Sequence, residues 1–254
     1  MGITHKGVTH LPALGARLTK LQEEDLVKCV DYFESFKIDQ NVFLEESKSL
    51  VRTSHSIAFT MNMFTKKISG IPEWGIPYLD QLKSDTIQVF ASVIMSAKRT
   101  IHLYERACIE DFLRYVYFFD HKIEHILLQT YPKKFQSIDS MIDWLERYPT
   151  LTPFEKPVSE NCMELASRYA ELSRTVHGTT MADQQIVESL QDTGRQKIEP
   201  QKEEKIMKGL FGAIFFLLSA FHIKNYRQLQ LDEKTLVCQH LSEKQIKILS
   251  GLSR

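Results

Sequence analysis

The segment Ser173-Arg174-Thr175-Val176-His177-Gly178 sets an arginine and a histidine three residues apart, with Ser173 one turn before the histidine. On a helix, residues at these spacings share a face. A histidine exchanges protons near neutrality. An arginine keeps its charge and matches phosphate oxygens in a fork. Together they are the minimum for metal-free phosphodiester cleavage. The RNA 2′-OH attacks its own phosphate, one group moves the proton, and a cation offsets the charge growing on phosphorus. The same spacing also describes a structural histidine that complements the dipole of a helix end.

A second constellation precedes it. Projected on a helix, His102, Arg106, Glu110, Arg114, Tyr117, His121 and His125 occupy one arc of about 140°. Arg106, Glu110 and Arg114 are successive i,i+4 neighbours, so Glu110 can pair with either arginine. A solvated face with weak ion pairs is one reading. Against it, Leu103, Ile109, Leu113 and Phe118 flank the stripe, which suits a surrounded helix whose charges line a cleft. His121 and His125 have a spacing that can grip zinc. Lys122 follows His121, however, so no H-E-x-x-H is formed and no third ligand is evident. Cys29, Cys108, Cys162 and Cys238 are far apart without a C-x-x-C, which favours free thiols over a zinc knuckle or a disulfide framework. No metal and no cofactor is expected. The chain has no P-loop, G-x-G-x-x-G or G-x-S-x-G.

The elements that must hold these residues read as helices. With 10 Gly and 8 Pro in 254 residues, long helices are easily accommodated. An amphipathic helix is expected over about 18–36, with Leu21, Val27, Val30 and Phe33 at helical spacing. A second covers residues within 41–69. Ser69 to Pro77, rich in Gly and Pro, must be a loop. From about 85 to 130, Phe90, Ile94, Ala97, Ile101, Tyr104, Cys108, Phe112, Tyr115 and Phe119 form an apolar stripe, which predicts one long helix or two nearly collinear ones. A short helix follows Ser137 as N-cap, and another runs from about 159 to 177 after Ser159, with Gly178 past its end. An apolar helix near 205–222 and two small helices near 232–250 complete the pattern, with Arg227–Leu231 the one weak strand candidate. The fold class is therefore all-α: a helical bundle on the 85–130 and 159–177 helices. Residues 1–76 read as an N-terminal extension, 77–180 as the core, 181–204 as a polar linker and 205–254 as a C-terminal segment.

Lys+Arg and Asp+Glu are equal at 32 each, so nucleic-acid contact needs a local patch, an oligomer or a partner. Net neutrality also leaves self-association unopposed. Met1 to Lys6 is followed by no apolar leader segment, and the run Gly209–Phe221 is shorter than the roughly 20 residues needed to span a bilayer. A cytoplasmic protein is expected.

Glu105 to His125 (ERACIEDFLRYVYFFDHKIEH) and Tyr169 to Gly178 (YAELSRTVHG) resemble the HEPN superfamily. These are helical domains of prokaryotic toxin–antitoxin, abortive-infection and CRISPR-linked systems. Many are metal-independent RNases that act as homodimers. The resemblance spans about residues 85–180. It implies His177 and Arg174 as the catalytic pair and RNA as substrate. Arg106, Glu110 and Arg114 would then face that pair, with Ser173 and Tyr169 among the substrate-binding or orienting groups. Only Thr175 and Val176 separate Arg174 from His177, a shorter gap than the family's usual one. A non-catalytic scaffold or regulatory module of the same fold, binding RNA or a protein partner in a defence complex, is the alternative.

Overall fold

The structure is a computed structural model and describes residues 11–35, 45–131, 136–177 and 198–251. It is all-α, with no strand among the described residues. Helices α1 (Leu11–Ser35) and α2 (Glu45–Thr65) come first. They are followed by α3 (Ile76–Ile94), α4 (Lys98–Phe118), α5 (Lys122–Thr130) and α6 (Ile138–Glu146). A 3-10 segment, Pro149–Phe154, leads into α7 (Glu155–His177), and α8 (Pro200–Phe221), α9 (Ile223–Gln228), α10 (Leu231–Cys238) and α11 (Glu243–Leu249) come after it.

Helix α8 is the post of the bundle. Every residue from Leu210 to Phe221 is buried. A helix apolar on all sides must be surrounded, and α2, α4, α7, α9, α11 and the 3-10 segment all pack on it. At Gly212 an added Cβ would stand 2.9 Å from the His240 carbonyl oxygen, so glycine is what lets that chain segment come so close. No described helix is long and apolar enough to cross a membrane.

The single long helix expected over 85–130 is instead three helices. The first break is a helix-ending motif without glycine. Ser96 adopts φ 52°. The Ala97 N–H donates to the Ser92 carbonyl at 2.9 Å, and the Ser96 N–H to the Val93 carbonyl at 3.0 Å. This pairing satisfies the last carbonyls of α3 and reverses the chain. α3 and α4 consequently fold back on each other. Tyr78 stacks on Phe118, and Asp85 meets Asp111, pairs equally far from the turn. The second break follows Phe118, where the His121 Nδ1–H donates to the Tyr117 carbonyl at 2.6 Å and its ring stacks on Tyr117.

Two prolines, Pro157 ahead of the expected 159–177 helix and Pro200 within the expected 181–204 linker, begin helices instead. Pro157 lies in the first turn of α7, which starts at Glu155 rather than 159. Pro200 opens α8. First-turn N–H groups have no helical acceptor, so a proline there loses nothing. Ser137 caps α6, accepting from the Ser140 N–H, and Ser242 forms a capping box at α11. Arg227–Leu231 is no strand: it spans the end of α9 and the start of α10. On α1, Leu26 is the buried apolar side chain, whereas Leu21 and Val27 are exposed. Gly178 and residues 181–197 of the expected linker lie outside the described residues, and from Pro200 that linker is α8.

A left-handed conformation costs an ordinary residue about 1–2 kcal/mol, while glycine gives back about 0.5–1 in added chain entropy. Ser96→Gly should therefore stabilise the chain by roughly 0.5–1 kcal/mol, read as a higher urea midpoint at unchanged slope. A lowered midpoint would mean that Ser96 is not strained.

Candidate functional site

Helices α4 and α7 cross antiparallel, and their facing side chains build the site. Arg106 from α4 reaches α7 in three ways. Its guanidinium lies over the Tyr169 ring at 5.1 Å, donates to the Tyr169 hydroxyl at 3.0 Å, and approaches His177 Nε2 at 3.5 Å. In the last contact the guanidinium is the donor. Glu110 gathers the donors. It takes Arg106 at 2.8 Å and the Tyr169 O–H at 3.0 Å on one oxygen, and Arg114 at 3.2 Å on the other. Burial alone would lower the charge affinity of Arg106, but its bonds to Tyr169 and Glu110 outweigh this and raise its pKa. Its Nε is buried without a partner.

Arg106, Glu110, Arg114 and Tyr169 form one wall of a cavity of ≈ 370 Å³. Leu128, Ile138 and Met141 from α5 and α6 form the apolar side. A larger cavity of ≈ 530 Å³ lies between α1, α2, α8 and α10, and none of the residues predicted for catalysis lines it.

The α4–α7 crossing thus brings Arg106, Glu110, Arg114, Tyr169 and His177 together. His177 and Arg174 are both exposed in the last turn of α7, and neither lines the cavity. Ser173 is half-buried, with its Oγ buried and without a partner. Arg99 was not anticipated. Its guanidinium donates to the Val176 carbonyl at 2.7 Å, in the last turn of α7.

The rest of the predicted stripe goes elsewhere. His102 is buried against α8, its Nε2 2.9 Å from Glu203, which Lys98 also approaches at 3.4 Å. Burial would raise the Glu203 pKa, but His102 and Lys98 prevail and lower it. Neighbouring Glu105 is fully buried without a hydrogen bond. Burial, with the Glu203 charge second, pushes its pKa well up. His121 packs on Tyr117 and Trp144, while His125 accepts or donates to the Tyr78 hydroxyl at 3.0 Å, so this i,i+4 pair does not converge. The one described group that brings three metal-ligating atoms together is Asp25, Cys29 and His55, on α1 and α2.

Comparison with family models, with curated proteins and with solved structures returns no match. The geometry of the chain itself must carry the functional argument.

Behind Glu110 lies a second feature that the sequence did not disclose. Asp85 and Asp111 are both buried and share a hydrogen bond across the α3–α4 hairpin. Gln81 donates to Asp85 at 2.9 Å, and Arg114 lies 3.6 Å from Asp111. Burial, and then the Asp85 carboxyl, push Asp111 up to about 8. Two carboxyls this close hold one proton between them. The folded value exceeds the unfolded one of about 3.9, so the folded state keeps an extra proton between roughly pH 4 and 8. Stability contributed by that proton falls as pH rises through this window and levels off above it. Buried His222 and His240, lowered to about 4 by desolvation, act oppositely, but only below about pH 6.5. Urea midpoints for wild type and Asp111→Asn, measured from pH 6.5 to 9, should therefore diverge in favour of the variant as pH rises. A difference that stays constant over that range would show that no proton is shared.

Proposed function

We propose that this chain is a HEPN-like helical domain that engages RNA and cleaves it without a metal. One observation carries the reading: the exposed imidazole of His177 ends α7 within 3.5 Å of Arg106, with Arg99 on the neighbouring carbonyl and Arg174 in the same turn. His177 takes the proton of the RNA 2′-OH as that oxygen bonds to phosphorus. The bond from phosphorus to the 5′-oxygen breaks, and the leaving oxygen receives a proton from the same imidazole. Arg174 steadies the charge on the phosphorane, Arg106 and Arg114 hold phosphate, and Glu110, Tyr169 and Ser173 orient them. A homodimer about a two-fold axis would supply a second His177, so that one ring acts as base and the other as acid. A cytoplasmic role in antiviral defence or a toxin–antitoxin pair fits this activity.

A different observation supports a second reading. Arg106, Glu110, Tyr169 and Arg114 largely satisfy one another. Such a closed network suits a brace between α4 and α7 in a non-catalytic scaffold that binds a protein partner or RNA.

The two readings separate in one assay. Purified wild type and His177→Ala are incubated with total RNA in EDTA. Because His177 is exposed, the variant should melt like wild type. Cleavage to 2′,3′-cyclic phosphate ends should fall by about 100-fold or more in it. No cleavage by wild type at high concentration would reject the nuclease and leave the scaffold. Cleavage equal in both proteins would remove His177 from the chemistry.

A further inference from the structure

Among the described side chains of α1, Leu26 is buried and Cys29 and Val30 are half-buried. Polar contacts also tie this helix to α2. Arg52 bonds Glu23 at 2.6 Å, and His55 Nε2 lies 2.9 Å from Asp25 Oδ2. Cys29 stands one turn after Asp25, on the same face of α1. A carboxylate oxygen, a thiol sulfur and an imidazole nitrogen consequently lie within 4.8 Å of one another.

We propose that Asp25, Cys29 and His55 form a zinc site that clamps α1 onto α2. It lies on other helices than the RNA reading uses and does not depend on it. The donor set selects the metal. Thiolate and imidazole suit zinc, whereas calcium and magnesium take oxygen ligands. The spacing also fits. With Zn–S near 2.3 Å and Zn–N and Zn–O near 2.0–2.2 Å, a tetrahedral ion needs ligand atoms roughly 3.3–3.6 Å apart. The Asp25–His55 approach of 2.9 Å must open by a few tenths of an ångström, and the Cys29 thiol, within 4.8 Å of the other two ligand atoms, closes in by up to about 1.3 Å. The ion takes the place of the hydrogen bond between those two groups. The Asp25 side chain is 49% exposed, so it can move and leave the fourth position to water.

The site is also supported from behind. Phe90 meets the His55 ring edge-on at 5.3 Å, which fixes its orientation. Preset ring orientation strengthens a ligand histidine. A thiol that coordinates a divalent cation loses its proton, so binding should release one.

The test uses the full chain, reduced, stripped with chelator and titrated with Co2+ as a coloured probe. The expected result is one equivalent bound, a thiolate-to-cobalt charge-transfer band, and loss of that band when Zn2+ displaces the cobalt. Cys29→Ser should abolish the band, and Asp25→Asn should weaken binding by about 10- to 100-fold or more. Neither variant buries a new group, so both should fold. Zinc should also slow amide exchange along α1 in wild type, and not in Cys29→Ser. Absence of a thiolate band, or a band that survives in Cys29→Ser, would overturn the site. Zinc binding without slowed exchange in α1 would overturn the clamp.

Discussion

The bundle depends on one constraint: the second half of α8 has no face it can show to water. From Leu210 to Phe221 it is buried all round, so α2, α4 and α7 must stand against it. Its polar start then fixes how α4 is rotated. Glu203 is buried and keeps a charge only because His102 and Lys98 reach it. Removing one partner of such a pair would strand a charge in a low-dielectric site, a loss of several kcal/mol. Once His102 points at α8, Arg106 and Glu110 follow at i+4 and i+8, each step turning about 40° further round the helix. That rotation carries them toward α7. The polar cleft is thus set by a requirement of the core.

This coupling explains which parts of the fold could be read from sequence. The apolar stripe from Phe90 to Phe119 is real, and most of it is fully buried. It runs in phase through the turn at Ser96, because both arms of the α3–α4 hairpin aim the same face inward. Periodicity alone could not separate one long helix from two folded back. Glycine would have marked the reversal, but a serine in the left-handed conformation left no trace. The prolines misled for the opposite reason. Pro157 and Pro200 are breakers in general and neutral in a first turn, and only the helix start itself decides between the two. Caps were legible because their signal is local: Ser137 and Ser242 are each separated from their partners by three residues.

The site divides in the same way. Arg106, Glu110 and Arg114 are near in sequence, so their pairing followed from helix geometry. Tyr169 and His177 joined them once α4 and α7 were set side by side. Contacts across long sequence distance were invisible. Asp85 faces Asp111 only because the hairpin exists, and His55 meets Asp25 only because α1 lies on α2. Residues that looked equivalent on the projected stripe also took different work. His102 serves the core, and His121 and His125 pack against aromatic rings. A shared arc on one helix does not mean a shared neighbour, since α4 is bordered by α3, α6, α7 and α8 in turn.

The position of His177 raises an electrostatic difficulty that the structure answers. A helix C-terminus carries about half a negative charge on its free carbonyls, which repels phosphate. It favours a protonated histidine, yet by itself it is the wrong end for an anion. Arg99 changes this. By donating to the Val176 carbonyl at 2.7 Å, it covers one of those acceptors and brings a full positive charge to the end of α7. Arg106 adds a second cation at 3.5 Å from the ring, and Arg174 a third in the same turn. The chain as a whole is neutral, but Arg99, Arg106 and Arg174 gather at this one helix end, with Glu110 offsetting part of the Arg106 charge. Within a Debye length of about 8 Å those local charges outweigh the distant remainder. On the proposed nuclease reading, these arginines are what would draw a polyanion to this end of α7 without a basic excess elsewhere in the chain.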